Sequence, residues 1–340
     1  MRESMLQLFR NLIVRRKETF LALFIVALGT FLTFSTADFL TVENLFDVLL
    51  NYTFLGIMSA GMLVVLISGG IDISFTAIAT VAQYAMALHI TERGGNLLLA
   101  FLIAGAVGIF LGSINGFLID RLKVPAIIVT IATLNLFHGV LITVTKGRWI
   151  YGFPEWFRTA PSLMTISTKS GANLSLSLPI ILLIVVYALT SFFLKRTTLG
   201  RQIYAMGGNP DAAQRIGVDI RKMKVFVYGL MGLLSGIASV IQAQLVQTVA
   251  PNAIVGRELD VVAAVVLGGA SLAGGTGTVL GTALGVSLIA IMGNGLTLLG
   301  VSSYWHQVFL GAVILISVGV TSYSQRKGHQ LRQVQVDVEE

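Results

Sequence analysis

Residues 97–144 read LLLAFLIAGAVGIFLGSINGFLIDRLKVPAIIVTIATLNLFHGVLITV, and this stretch decides the fold. It contains two apolar runs, Leu97–Ile119 and Pro125–Val144, separated by the charged segment 120–124. A helix that crosses the hydrocarbon core of a membrane needs about 20 largely apolar residues. Because both runs are continuous rather than alternating, they predict two membrane-spanning helices and exclude transmembrane β-strands.

Eight further apolar runs of comparable length lie on either side of this pair. They are Phe20–Ala37, Asn51–Ser68, Phe75–Ile90, Leu178–Leu194, Val225–Leu245, Leu259–Leu272, Thr278–Leu298 and Tyr304–Tyr323. Of the 340 residues, 55% are hydrophobic and 11% are charged, whereas a soluble domain has roughly a quarter charged residues. The sequence therefore predicts an all-α integral membrane protein with about ten transmembrane helices and no separate soluble domain.

Lysine and arginine between the runs indicate the orientation. With ten spans, the two terminal tails and the loops 120–124 and 195–224 fall on one side and carry 17 basic residues, against 6 on the other. By the positive-inside rule, both termini are expected in the cytoplasm. We expect a cytoplasmic tail at residues 1–19, one transmembrane domain at 20–323 and a cytoplasmic tail at 324–340. The net charge of +7 is thus a topology signal, and nucleic acid is not expected as a partner.

The basic residues before Phe20 also resemble the start of a signal peptide, and Ser35-Thr36-Ala37 could serve as its cleavage site. An uncleaved first helix fits the charge pattern equally well. The first run is therefore either a retained membrane helix or a leader.

The predicted external loop, residues 146–177, is too long to be a mere connector. It carries the aromatic residues Trp149, Tyr151, Phe153, Trp156 and Phe157. Aromatic side chains just outside a membrane are typical of an interfacial belt or a short surface helix. They could also form part of a docking platform for an external partner.

The predicted cytoplasmic loop, residues 195–224, contains residues that typically begin or end helices. Gly207-Gly208-Asn209-Pro210 ends one segment, after which Asn209 or Asp211 can cap a short helix, Asp211–Ile216, that ends at Gly217. A short helix between two spans suits docking to a soluble partner. The alternative is a solvated basic loop held by lipid headgroups.

Two glycine-rich stretches interrupt apolar runs. In GGIDIS, residues 69–74, Asp72 can cap the next helix as a simple cap at the surface. The following run of about 16 residues covers only about 24 Å, however, so the break could instead lie below the surface, beside protein or a water-filled cavity. Direct ligand contact is a third reading. The stretch 268–277 lacks the lysine of a phosphate-binding loop and indicates an interrupted or tightly packed helix pair.

Polarity within the spans comes mainly from neutral side chains, namely Gln83, Asn115, His138, Gln242, Gln244 and Asn294. Glu258 and Asp260 are expected near the outer end of a span, with Arg257 beside them. This shortage of intramembrane acids argues against ion coupling and favours a pathway for a neutral, hydroxyl-rich solute, with Asn115, Asn294 and Gln83 as candidate lining residues. For each amide, interhelical hydrogen bonding is the simpler alternative.

No catalytic or metal site is expected. The chain has no cysteine, and its four histidines show no i, i+4 pair. No P-loop is present, so the chain cannot hydrolyse ATP by that device.

Four ordered motifs resemble the permease subunits of bacterial ATP-binding-cassette (ABC) importers for ribose, other simple sugars and autoinducer-2. They are GGIDIS at 69–74, KVPAIIVTIATL at 123–134, GRQIYAMGGNPDAAQRIGV at 200–218 and ELDVVAAVVLGGASLAGGTGTVLGTALG at 258–285. The run KGRWIYGFPEWF at 146–157 resembles most the autoinducer-2 and rhamnose branches. The chain departs from the family pattern at Ile73, which replaces Leu, and at Phe75-Thr76, which replaces Val-Gly. Loss of that glycine puts a flexible-hinge role for this position in doubt.

The resemblance implies two permease subunits, as homodimer or heterodimer, in the inner membrane, with two cytoplasmic ATPases that bind ATP and Mg²⁺ and a periplasmic sugar-binding protein. The ATPase-contacting region of the family corresponds here to Gly200, Gly207, Gly208, Asn209, Asp211 and Ala213. The helix-break motif corresponds to Gly69, Gly70, Asp72 and Ser74. We expect the binding protein to dock on external residues that include Trp149, Tyr151, Trp156, Glu258 and Asp260. The competing hypotheses are a self-powered secondary transporter or facilitator, and a membrane enzyme, for which the required convergent side chains are not found.

Overall fold

A computed structural model describes residues 17–159, 162–167, 173–302, 304–313 and 315. Its helices are α1 Lys17–Ser35, α2 Val42–Asn51, α3 Thr53–Ile67, α4 Phe75–Arg93, α5 Leu97–Leu122, α6 Ala126–Thr145, α7 Glu155–Arg158, α8 Leu178–Arg196, α9 Thr198–Gly208, α10 Pro210–Arg215, α11 Ile220–Val246, α12 Glu258–Leu267, α13 Val279–Leu298 and α14, residues 304–313. Two antiparallel strands, β1 Ser162–Ser167 and β2 Asn173–Ser177, form a hairpin. Residues 1–16 and 316–340, which include most of the predicted N-terminal tail and all of the C-terminal tail, lie outside the described part.

The membrane domain is helical, as the apolar runs predict. Within the described part, six helices are long and apolar enough to cross a membrane: α1, α5, α6, α8, α11 and α13. Helices α2 and α3 together form a seventh candidate, bent by 49°. A helix begins in each of the ten predicted runs or within a few residues of it, but ten crossings and the side on which the termini lie stay predictions.

The run Leu259–Leu272 differs from the expectation of a full span. Its helix, α12, has ten residues and is therefore about 15 Å long, half of what a membrane crossing requires. It is shorter than predicted because it ends at the glycine pair Gly268-Gly269, and the apolar residues beyond them belong to an irregular segment. Helix α12 is thus a half-length helix.

Close helix packing explains much of the high glycine content. Helices α5 and α11 form the most extensive helix contact in the described structure. On α5, small residues recur every four positions at Ala104, Gly108, Gly112 and Gly116, and their backbone lies against the backbone of α11. A side chain at Gly112 would overlap the carbonyl oxygen of Tyr228. Small residues at this spacing let two helices approach at backbone distance, as is typical of helix pairs in membranes.

Helices α3 and α12 end in the same way. After α3, the N–H groups of Gly69 and Gly70 donate to the carbonyls of Leu66 and Val65; after α12, Gly269 and Ala270 donate to Val266 and Val265. Gly69 and Gly269 have φ angles of 84° and 91°, a conformation that glycine adopts without strain. Both are Schellman ends, so two interrupted helices of the bundle, α3 and α12, stop at equivalent glycines.

The bundle has two ends, named here by what they carry. The hairpin end carries α7, the β-hairpin and an isolated bridge between Ile150 and Val249. The glycine end carries α9, α10 and the start of α11, where Lys224 lies 3.6 Å from Asp120 on α5. The short surface helix expected in the loop 146–177 is present as α7, whereas the β-hairpin was not predicted.

Candidate functional site: a glycine junction and a helix break

Three glycine pairs meet at the glycine end. They are Gly69-Gly70 after α3, Gly207-Gly208 at the end of α9, and Gly274-Gly275 before α13. A side chain at Gly207 would overlap the carbonyl oxygen of Ile67, and a Cβ at Gly274 would lie 2.7 Å from the Cα of Gly69. We call this contact the glycine junction. It places the last turn of α9 directly against the end of α3 and the loop after α12.

Hydrogen bonds close the junction. The N–H of Gly275 donates to the Ile67 carbonyl at 2.9 Å. The hydroxyl of Tyr204, on α9, donates to the Gly277 carbonyl at 2.7 Å. Movement of α9 must therefore disturb the segment 268–278 and the end of α3 together.

Helix α10 is present, as the capping residue before it and the glycine after it predict. Asn209, rather than Asp211, provides the cap: its Oδ1 accepts from the Ala212 N–H at 3.0 Å. Gly217, with a φ of 91°, ends the turn. Of the predicted coupling residues, Gly200, Gly207 and Ala213 are buried within the chain, while Gly208, Asn209 and Asp211 are exposed. The first group positions the segment, and the second leaves a surface open at the glycine end.

Helix α11 begins at a second side-chain cap on this end. The Oδ1 of Asp219 accepts from the backbone N–H of Lys222 at 3.0 Å. That hydrogen bond, with the Lys222 ammonium nearby, lowers the pKa of the Asp219 carboxyl. The cap is therefore complete at neutral pH and is lost as the pH falls through the lowered pKa.

The break after Gly69-Gly70 rises into the bundle instead of lying flat on its end. The Ile71 carbonyl accepts from Thr130, in the second turn of α6, at 3.2 Å. The Ser74 hydroxyl accepts from Asn115 at 2.6 Å, and Asn115 lies seven residues before the end of α5, about 10 Å along its axis. Helix α4 thus starts well inside the bundle.

Asp72 holds this break together. Its side chain is wholly buried, and its Oδ1 accepts from the Ser74 backbone N–H at 2.8 Å and from the Ser74 hydroxyl at 2.6 Å. Among the described residues, its second oxygen and the nearby Tyr228 hydroxyl have no hydrogen-bond partner. The carboxylate therefore stabilises the turn before α4 by accepting two hydrogen bonds from Ser74. Ser74 in turn connects this turn to α5, because its hydroxyl accepts from Asn115.

The three candidate pathway amides occupy separate places. Asn115 contacts Ser74, Gln83 donates to the Ser239 carbonyl on α11 at 2.9 Å, and Asn294 exchanges two hydrogen bonds with Asn44 at 2.8 and 3.0 Å. Each joins two helices or a helix and a break. Their role in a pathway stays a prediction.

The predicted external docking residues divide into two groups. Trp149 and Tyr151 are exposed at the hairpin end, while Trp156 is half-buried with its ring edge on Phe157. Glu258 and Asp260, by contrast, begin α12, and the Glu258 carboxylate accepts from the Thr76 hydroxyl near the start of α4. Glu258 therefore lies beside the start of α4, and a part for Glu258 and Asp260 in external docking stays a prediction.

Two features of the site were missed from the sequence. Ile216, just after α10, exposes 78% of its side chain at the glycine end. Thr76, at the position where the family pattern has glycine, uses its hydroxyl to bind Glu258. Part of the signal was available for the first, because Ile216 is apolar within a polar loop. The hydrogen bond of Thr76 could not be found in this way, because it joins two distant parts of the chain.

No group of three or more His, Asp or Glu side chains is placed to hold a metal ion in the part of the chain that the structure describes. Interrupted helices that stop inside a membrane bundle are characteristic of transporters, which tolerate irregular backbone only beside protein or water. The fold and the site together define the class: a polytopic helical transport protein.

Comparison with known proteins narrows this class. The family described as branched-chain amino acid transport system / permease component matches residues 44–318. The ribose import permease protein RbsC of Escherichia coli K12 is 36% identical over 85% of this chain and 88% of its own. RbsC of Bacillus subtilis is 36% identical over 90% and 92%, and the autoinducer 2 import system permease protein LsrC of Photorhabdus luminescens is 32% identical over 76% of each. No solved structure matches the chain.

The chain belongs to this permease family, since the match covers most of its length. It is a permease subunit of an ABC importer in the inner membrane, and nucleotide binding falls to a partner ATPase. Membership also implies a periplasmic binding protein as a partner.

Proposed function

We propose that this permease carries a small neutral sugar or sugar-like solute inward, with a ribose-type monosaccharide first and rhamnose or autoinducer-2 next. Two observations support this proposal, the first for the order of the solutes and the second for their chemical class. Relatives named for ribose import share 36% identity with the chain, against 32% for one named for autoinducer 2. The interior supplies neutral amides and hydroxyls, which suit a solute rich in hydroxyl groups.

The glycine junction is the observation that carries the proposed mechanism. The segment α9–α10 is where the partner ATPase docks, on the surface formed by Gly208, Asn209, Asp211 and Ile216. ATP-driven closure of the ATPases moves this segment, and the junction transmits the movement to the ends of α3 and α12. Helices α3 and α12 then rock against the packed pair α5 and α11, and the solute is released through a transient cavity.

The proposed assembly contains two permease subunits, identical or paralogous, with both termini cytoplasmic and ten crossings in each. The glycine end then faces the cytoplasm, and the hairpin end faces the periplasm. The loaded binding protein docks on the hairpin end, where Trp149 and Tyr151 are exposed and Trp156 adds to the platform.

The test is affinity capture of the tagged full-length chain from its host in mild detergent, with mass spectrometry of what is recovered. We expect a P-loop ATPase in stoichiometric amount, and a second permease of different mass only if the pair is heterodimeric. Ile216→Asp changes an exposed residue on the proposed docking surface and is expected to lose the ATPase while the chain stays monodisperse. Tyr151→Asp, which changes an exposed residue at the opposite end, is the control and should retain the ATPase.

Recovery of the intact wild-type chain without any ATPase, together with uptake that needs no ATP, would overturn the proposal. The chain would then be a self-powered transporter. The segment 195–224 would be a solvated connector.

A further inference from the structure

Helix α12 begins about halfway along the bundle. Its last residues lie beside the first turns of α13, because Gly268 packs on the Gly281 carbonyl and Gly285 packs on the Ala264 carbonyl. One helical turn further, Asp260 lies level with residue 289, the eleventh of the twenty residues of α13. Both ends of α13 are then about 15 Å away.

A contact on the opposite side gives the same depth for the start of α12. The Glu258 carboxylate accepts from Thr76, the wholly buried second residue of α4. Two turns later on α4, the Tyr84 hydroxyl donates to the Arg148 carbonyl at 3.1 Å, just beyond the hairpin end of α6. Thr76 therefore lies about 12 Å inside that end.

Three ionisable residues are found at this level. Arg257 is exposed, Glu258 and Asp260 are half-buried, and Leu259 between them exposes 69% of its side chain. The guanidinium carbon of Arg257 lies 5.9 Å from the centre of the Phe54 ring. Within the described part of the chain, Arg257 has no carboxylate within 4.0 Å.

Charged side chains at this depth cannot face lipid without a cost of several kcal/mol each. The surface that carries Arg257 and Glu258 must therefore face water or another protein subunit. In a two-subunit importer, such a surface borders the space through which solute passes. This step depends on the proposed function.

We propose that Arg257 and Glu258, with Thr76 and Asp260, form a mid-depth station that contacts the hydroxyl groups of the passing sugar. A carboxylate accepts hydrogen bonds from hydroxyls, and a guanidinium donates to their oxygens. A neutral solute with several hydroxyl groups is the class that satisfies both kinds of partner.

The experiment uses the complete importer, with its ATPase and binding protein, in proteoliposomes. Uptake of radiolabelled D-ribose and of D-xylose is measured beside the ATPase activity that loaded binding protein stimulates. Glu258→Gln keeps the shape and an acceptor for Thr76, and Arg257→Gln removes the guanidinium. For both, we expect uptake to fall at least tenfold and the ribose-to-xylose ratio to change, while stimulated ATPase activity stays within twofold. The matched controls are Glu92→Gln and Arg121→Gln, both exposed and outside the residues proposed for docking, which should behave as wild type.

Unchanged uptake and an unchanged ribose-to-xylose ratio in both variants would contradict the proposal that this mid-depth station contacts the sugar. So would parallel losses of uptake, ATPase activity and complex recovery, which indicate a purely structural role. A wild-type preparation that takes up solute with no ATPase would instead contradict the proposed function, so the two failures are distinguishable.

Discussion

The N–H of Gly275 donates a 2.9 Å hydrogen bond to the carbonyl of Ile67, the last residue of α3. Gly207 packs against the same carbonyl. The end of α3, the loop after α12 and the proposed ATPase-docking segment are thus joined through backbone atoms. Because no side chain mediates this contact, its geometry depends on the lack of Cβ atoms.

The two adjacent glycines at the end of α9 should respond differently to the same change. In Gly207→Ala, the added methyl overlaps the Ile67 carbonyl, whereas at Gly208 it would meet no atom within 4 Å. We expect Gly207→Ala to cost about 1–3 kcal/mol in stability by overpacking and to lower ATP-driven uptake at least tenfold. Gly208→Ala should stay within about 0.5 kcal/mol of wild type. Equal thermal stability of the two variants in detergent would contradict a junction at Gly207.

A second matched pair tests the packing of α5 on α11. Gly112→Leu forces a side chain into the backbone of Tyr228, while Gly139→Leu, on α6, enters open space. We expect the unfolding midpoint in detergent to fall by several degrees or more for Gly112→Leu and to change little for Gly139→Leu. Size-exclusion chromatography and a thermal unfolding assay measure both. A stable Gly112→Leu variant would mean that the helices do not pack this closely.

Two substitutions of Asp72, the buried carboxylate at the helix break, distinguish the effect of its hydrogen bonds from the effect of its charge. Asp72→Asn retains an oxygen that can accept from the Ser74 N–H and hydroxyl, whereas Asp72→Ala leaves both donors unpaired. An unpaired buried donor costs about 1–3 kcal/mol. We expect the asparagine variant to fold and the alanine variant to yield far less folded protein, measured by membrane expression and monodispersity. If asparagine is as damaging as alanine, the negative charge itself is required.

Local sequence patterns predicted the helices well and the depths poorly. Leu97–Ile119 predicted α5 to within three residues of its observed end, because apolar length is a local property. Asn209 and Gly217 likewise predicted the ends of α10 from cap chemistry. No local pattern indicates the depth of Glu258, since that depth depends on the packing of α12 against α13.

The departure at Phe75-Thr76 illustrates the same limit. The sequence showed that a glycine of the family pattern was absent and that a flexible hinge there was in doubt. Only the folded chain brings the Thr76 hydroxyl to Glu258, which links α4 to α12. A side chain in place of the glycine thus supplies a contact between two interrupted helices, and that contact has no signature in either motif alone.

The cap of α10 offers a test of whether the ATPase needs an ordered α10 for docking. In Asn209→Ala the acceptor for the Ala212 N–H is lost, at a cost of about 0.5–2 kcal/mol to the helix end. We expect faster amide hydrogen exchange across residues 210–216 and less ATPase recovered in affinity capture, while helices such as α5 exchange as before. Asn209→Ser keeps a capping oxygen and should restore both measurements. If Asn209→Ala speeds exchange but leaves ATPase recovery unchanged, an ordered α10 is not what the ATPase binds.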